Sequence, residues 1–212
     1  MAHPDKIPSP HVDRVVEAIR EITKQLSGLA TNEEELHADN IEPAAIRVND
    51  GLTIWKFKPG SFERLSRDEL KDDLFDWVQP TNMVYHPMWL SESPVGFARS
   101  TTDLSAKPIL QINLSPTSRR AILIHEALAR LETSEETESQ DPVIASNPVV
   151  RLLEIPPAHM VALWLYSESV HQSRIMIISA AKRYAALSER SLLDSNEFLK
   201  GLKEQGLIPQ VA

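Results

Sequence analysis

The chain has 212 residues, 42% hydrophobic and 25% charged, the balance of a soluble globular protein that buries a real core. It contains no cysteine, which excludes disulfides, thiolate metal sites and cysteine nucleophiles and fits a reducing compartment. Its formal net charge is −8 and its densest basic runs are the pairs Arg119-Arg120 and Lys182-Arg183, so nucleic-acid binding, which rests on neutralising phosphates, is not expected.

The N-terminal stretch MAHPDKIPSPHVDR has no apolar core of the kind a signal peptide needs. No apolar run approaches the roughly 18 residues of a membrane span, and the C-terminus offers no cysteine for lipid attachment. A soluble cytoplasmic protein without a membrane partner is the expectation.

Val12, Val15, Val16, Ile19, Ile22 and Leu26 recur at three- and four-residue spacing and predict a helix over 11–28, stopped at Gly28. The acidic segment 32–43 is a connector. Residues 44–48 (AAIRV) and 52–57 (LTIWKF) flank Asn49-Asp50-Gly51 and predict a hairpin. Ser66, with Glu69 three residues on, forms a capping-box pattern for a helix over about 67–78 that buries Leu70, Leu74 and Trp77 or Val78, and Pro80 ends it. Residues 79–94 hold three prolines and no clear period, which predicts an irregular loop with a short extended piece.

In residues 108–114 (PILQINL), Leu110, Ile112 and Leu114 alternate with Gln111 and Asn113, as in a strand. Ser115-Pro116 then starts a helix that runs to about Glu132. Residues 132–142 contain five acids and no base, the composition of a mobile linker or loop. Three strands follow at 149–155, 160–166 and 174–179, the last two joined by a polar loop. Asp194 with Glu197 caps a final helix carrying Phe198, Leu199 and Leu202, with Gly206 beyond its end.

The sharpest motif is AILIHEALAR, 121–130. His125-Glu126 resembles the start of a zinc-peptidase helix, where two histidines four apart face the metal and the glutamate serves as base. Here position 129 is alanine, so half of the metal anchor is missing. At roughly 100° per residue, the stripe of Ala121, Ile124, Leu128 and Leu131 centres near Ile124. His125 then stands at the stripe's edge and Glu126 points outward, toward Arg130 at i+4. His37, His86, His159 and His171 are isolated, so no metal and no cofactor are expected. The six glycines make neither a dinucleotide fingerprint nor a P-loop, and G-x-S-x-G is absent. The Glu69-Leu70-Lys71 triplet faintly resembles a metal-nuclease pattern but belongs to the capped helix.

Eight of the twelve aromatics fall in residues 55–97, which locates a main core there. Tyr85, His86, Met88 and Trp89 lie in the Pro-interrupted stretch, where exposed aromatics would line a ligand pocket or a partner-binding patch. The expected fold is α+β: a mixed or antiparallel sheet with hairpins, packed by three to four helices. The expected organisation is an N-terminal part (1–131), the acidic linker (132–142) and a C-terminal part (143–212) packed on the first as one domain. The function these features favour is a non-catalytic module that binds a protein or small ligand through Tyr85, His86, Met88 and Trp89. The alternative is a hydrolase-type enzyme with an unconventional, metal-assisted site near His125, Glu126 and His86.

Overall fold

A computed structural model describes residues 3–4, 9–29, 46–48, 51–67, 73–90, 93–103, 109–114, 119–136, 141–184, 187 and 192–207. In chain order its elements are β1 (His3–Pro4), α1 (Ser9–Leu29), β2 (Ile46–Val48), β3 (Leu52–Phe57), α2 (Ser61–Arg67), α3 (Leu74–Trp77), β4 (Val78–Leu90), β5 (Ser93–Thr101), β6 (Ile109–Leu114), α4 (Arg119–Glu136), α5 (Pro142–Ala145), β7 (Val149–Ile155), β8 (Met160–Ser167), β9 (Gln172–Ser179), β10 (Leu193–Asp194) and α6 (Ser195–Glu204). The fold is α+β with mixed strand pairing. Backbone contacts group the chain into two units: residues 1–5, 52–81 and 123–212, and residues 6–51 and 82–122.

The first unit is built on β7, β8 and β9, an antiparallel meander in which Arg151 faces Trp164 and Trp164 faces Ile175 across the strands. All eight residues of β8 are buried. A strand covered on both faces reads as a continuous apolar run instead of an alternating one, and MVALWLYS is such a run. Pro156-Pro157 starts a short 3-10 turn that ends at His159, an exposed residue in the left-handed conformation, and this turn closes the β7–β8 hairpin. β8 and β9 meet through the four residues Glu168–His171, tighter than the polar loop expected there. β3 and β1 both pair parallel to β7, and β10 pairs antiparallel to β9.

One face of this sheet presents Trp55, Leu153, Ile155, Ala162, Trp164 and Ile175 to Leu65 of α2, Leu74 and Trp77 of α3, and Phe198, Leu199 and Leu202 of α6. α6 starts with the capping box that its sequence predicts, Asp194 accepting from the Glu197 amide while the Glu197 carboxylate accepts from the Asp194 amide.

The Ser66 cap is not formed. Gly60, at φ 74, turns the chain into α2 one residue ahead of Ser61, so Ser66 lies inside a helix and its hydroxyl donates back to the Glu63 carbonyl. Asp73 caps the separate α3, and Glu69 and Leu70 lie outside the described residues. The 49–51 hairpin is also replaced: β2 pairs with β4, and β3 pairs with β7. β3 buries Leu52, Ile54 and Trp55, apolar residues on both of its faces, and a strand of that kind belongs inside a sheet, not in a solvated ribbon. The acidic stretch 132–142 is helical at its start, within α4, and Asp141 at its end caps α5. The connector 32–43 and the cap Ser115-Pro116 lie outside the described residues.

In the second unit β4, β5 and β6 form an antiparallel ladder and β2 adds to β4. The loop expected at 79–94 is therefore mostly strand. Its prolines hid it: Pro87 stands beside the register shift between Met88 and Trp89, the setting in which a strand tolerates proline. Val15 and Ile19 of α1 pack with Met88, Val95 and Ala98, the stripe that the spacing in 11–28 predicts. β6 carries a bulge. Ser100 faces Ile109 and Arg99 faces Gln111, which leaves Leu110 as the extra residue. Leu110 is 55% exposed, while Ile109 and Ile112, three apart, share the buried side.

Candidate functional site

Tyr85, His86 and Met88 are fully buried and Trp89 is nearly so, all within β4. They build the second unit's interior instead of an exposed patch. Tyr85 stacks on Phe97 at 5.0 Å, with the Arg120 guanidinium 5.9 Å from its ring. His86 shares a 2.8 Å hydrogen bond with the Ser100 hydroxyl, and Met88 packs against α1. Gly51 is confined by the same residues: a Cβ there would collide with Val84 and stand 2.7 Å from His86 Cε1.

α4 follows its helical geometry. Ile124 is buried, His125 is half-buried, and Glu126 and Arg130 are exposed. Among the described residues no group of three or more His, Asp or Glu side chains converges as a metal site requires. No described helix is long and apolar enough to cross a membrane.

The first unit holds a polar arrangement that motif and periodicity do not single out. Asp73, the cap of α3, accepts at Oδ1 from the Ser173 hydroxyl (2.6 Å) and the Phe75 amide (3.0 Å), and at Oδ2 from the Ser195 hydroxyl (2.8 Å). Ser173 accepts in turn from Trp164 Nε1 at 2.8 Å, and Ser195 from the Leu74 amide at 3.0 Å. One carboxylate thereby ties α3, the first turn of α6 and the start of β9 together, with both serine hydroxyls buried and satisfied. Beside it, Arg174 donates from Nε to Asp141 at 2.7 Å and from Nη1 to the Ser173 carbonyl at 2.9 Å.

Above this floor lies an open cleft of about 320 Å³ lined by Asp73, His171, Gln172, Ser173, Arg174, Asp194, Ser195 and Asn196. Every lining side chain can form hydrogen bonds. On one flank Arg151 is buried among four aromatic rings, its Cζ 4.4 Å from the Trp55 centroid, 4.7 Å from Trp164, 5.4 Å from Tyr166 and 5.8 Å from Phe75. Phe75 stacks on Tyr166 at 4.6 Å and is 38% exposed. The Tyr166 hydroxyl reaches His171 Nδ1 at 3.3 Å.

The Tyr166 phenol is held above its ordinary value of 10.0, first by burial and then by the Asp73 carboxylate, with Asp76 and Glu168 adding to the rise and Arg151 opposing it. A raised folded-state value means that the folded chain holds this proton more tightly than the unfolded chain does. The corresponding stability is full below the unfolded value and is lost as pH rises through the folded one. In urea unfolding the parent chain should lose stability above about pH 10, and Tyr166→Phe should flatten that loss. An unchanged alkaline profile would show that Tyr166 does not contribute to it.

The sequence offered a signal for part of this site. Asp194 is visible from its capping box, and it lines the cleft next to Ser195. Asp73, Ser173 and His171 carry no motif, and Asp73 meets its serine partners across separations of 100 (Ser173) and 122 (Ser195) residues in the chain. Comparison with protein-family models, curated proteins and solved structures finds no match, so the chemistry of this site carries the functional reading.

Proposed function

We propose that the chain is a cytoplasmic protein- or ligand-binding module, and that it recognises its ligand at the cleft between β9 and the first turns of α3 and α6. One observation carries this reading: an open cleft lined wholly by hydrogen-bonding side chains above a floor that is already satisfied. A floor held this way does not need to rearrange on binding, which lowers the entropic cost of capture. The exposed side chains of His171, Gln172 and Asn196 stand where a ligand meets them first. These polar groups suit a peptide segment or another polar molecule better than an apolar one.

Amide NMR of the intact chain, titrated with blocked tetrapeptides of the sequences GRRG, GEEG and GQQG up to about 5 mM, tests the proposal at the weak end of the affinity scale. The expected result is that at least one peptide shifts the amides of residues 171–173 and 194–196, and that Asn196→Trp, a change at an exposed position, removes those shifts while leaving the melting temperature in place. Peptides that leave these amides unmoved would overturn the assignment.

A further inference from the structure

We infer that the partner at this cleft presents a basic segment, with a lysine or arginine side chain laid across Phe75 and its charged head among Asp76, Glu168 and Asp194; this rests on the binding reading above. Phe75 and Val170 are two of the three large hydrophobic side chains exposed among the described residues, each 38% exposed. Both belong to this one neighbourhood. Phe75 stacks on Tyr166, and the Tyr166 hydroxyl touches His171, the residue after Val170. An aromatic ring held flat against a second ring and open on its outer side offers a face that attracts cations.

Among the described residues, carboxylates gather near that face: Asp73 and Asp194 line the cleft, Asp76 follows Phe75 and Glu168 stands two residues before Val170, while the cations there include Lys58, Arg151 and Arg174. Arg174 is committed to Asp141. Arg151 is 6% exposed beneath the rings, and the Lys58 ammonium donates to the Asp76 carbonyl. Asp76 and Glu168 are both exposed residues. The long aliphatic stem of lysine or arginine suits the apolar surface, and its head suits the acidic rim.

The test compares the GRRG and GEEG peptides against the intact chain and three variants. GRRG should bind at least about tenfold tighter than GEEG, and raising salt past the point where the Debye length falls to about 8 Å should weaken it severalfold. Asp76→Asn with Glu168→Gln should weaken GRRG by about five- to tenfold, and Phe75→Leu by about threefold. Glu126→Gln with Glu204→Gln removes the same two charges elsewhere; Glu204 stands roughly 13 Å along the axis of α6 from its start. That control should cost less than about twofold. If GEEG shifts the cleft amides as strongly as GRRG, the basic-partner inference fails and the binding reading stands. If the control pair weakens GRRG as much as the cleft pair does, the attraction is only net charge and the inference fails too. If no peptide moves the cleft amides, both fail.

Discussion

Trp164→Ala is expected to lower the unfolding free energy by about 3–5 kcal/mol, the largest loss of any single substitution considered for this chain. Trp164 is fully buried at the centre of β8. Its ring meets Trp55 edge-on at 5.0 Å, lies 6.0 Å from Tyr166, and forms one wall around Arg151, 4.7 Å from the guanidinium. Its Nε1 also donates to Ser173. Alanine would leave a cavity where an indole stood and would strip Arg151 of a ring, with no nearby side chain free to fill the gap cheaply. Because total stability is typically about 5–15 kcal/mol, a loss of that size leaves much of the protein unfolded at ambient temperature. Trp164→Phe separates the contributions. It keeps most of the ring contact and removes the Nε1 donor, so its cost should fall to about 1–3 kcal/mol. Urea midpoints at constant m measure both changes. An alanine cost under about 1 kcal/mol would mean that the packing around Arg151 does not depend on this ring.

The elements legible from sequence are those whose signal is contained in one short segment. Val15 and Ile19 are buried on α1 because helical spacing alone places them on one stripe. The angular argument for α4 is matched by a buried Ile124, a half-buried His125 and an exposed Glu126. β8 is a continuous apolar run, β7 and β9 carry apolar stretches (VVRLLEI, QSRIMIIS), and Asp194 with Glu197 is a local capping signal. What failed depended on partners far along the chain. The Asn49-Asp50-Gly51 turn pattern carries no information that β7 competes for β3 and β4 for β2. In β4 the residues from Val84 to Trp89 are buried on both faces, so no alternation marks the strand and its prolines imitate a loop. The bulge turns Leu110 outward and puts Ile109 on the buried side with Ile112, which alternation alone does not anticipate. The burial of Tyr85, His86, Met88 and Trp89 is hidden in the same way, since aromatics in a Pro-rich run look exposed until the pairing of β4 with β5 is known.

The polar floor gives the second large effect. Asp73→Ala should cost about 2–4 kcal/mol, because one substitution removes a helix cap and two hydrogen bonds from buried hydroxyls to a carboxylate. Ser173 and Ser195 would each keep their incoming bond, from Trp164 Nε1 and the Leu74 amide, and would lose the acceptor for their own proton. Asp73→Asn retains one acceptor oxygen but turns an amide NH2 toward the other hydroxyl, so an intermediate loss of about 1–2 kcal/mol is expected. The three contacts act on one atom group, and their costs should not add. A double-mutant cycle of Asp73→Ala with Ser195→Ala should return a coupling of about 0.5–3 kcal/mol. Additive costs would show that Ser195 and Asp73 are energetically separate despite their 2.8 Å contact. The location of the damage matters as much as its size. α3 has only four residues and is held at its start by Asp73 and Ser195, so its amides should lose exchange protection before those of β8 do. Phe75 sits on that turn, stacked on Tyr166, and freeing the turn would release that ring. Asp73→Asn, folded but loosened, should therefore weaken GRRG binding even though the Asp73 carboxylate lies in the floor and its oxygens are already taken by Ser173, Ser195 and the Phe75 amide.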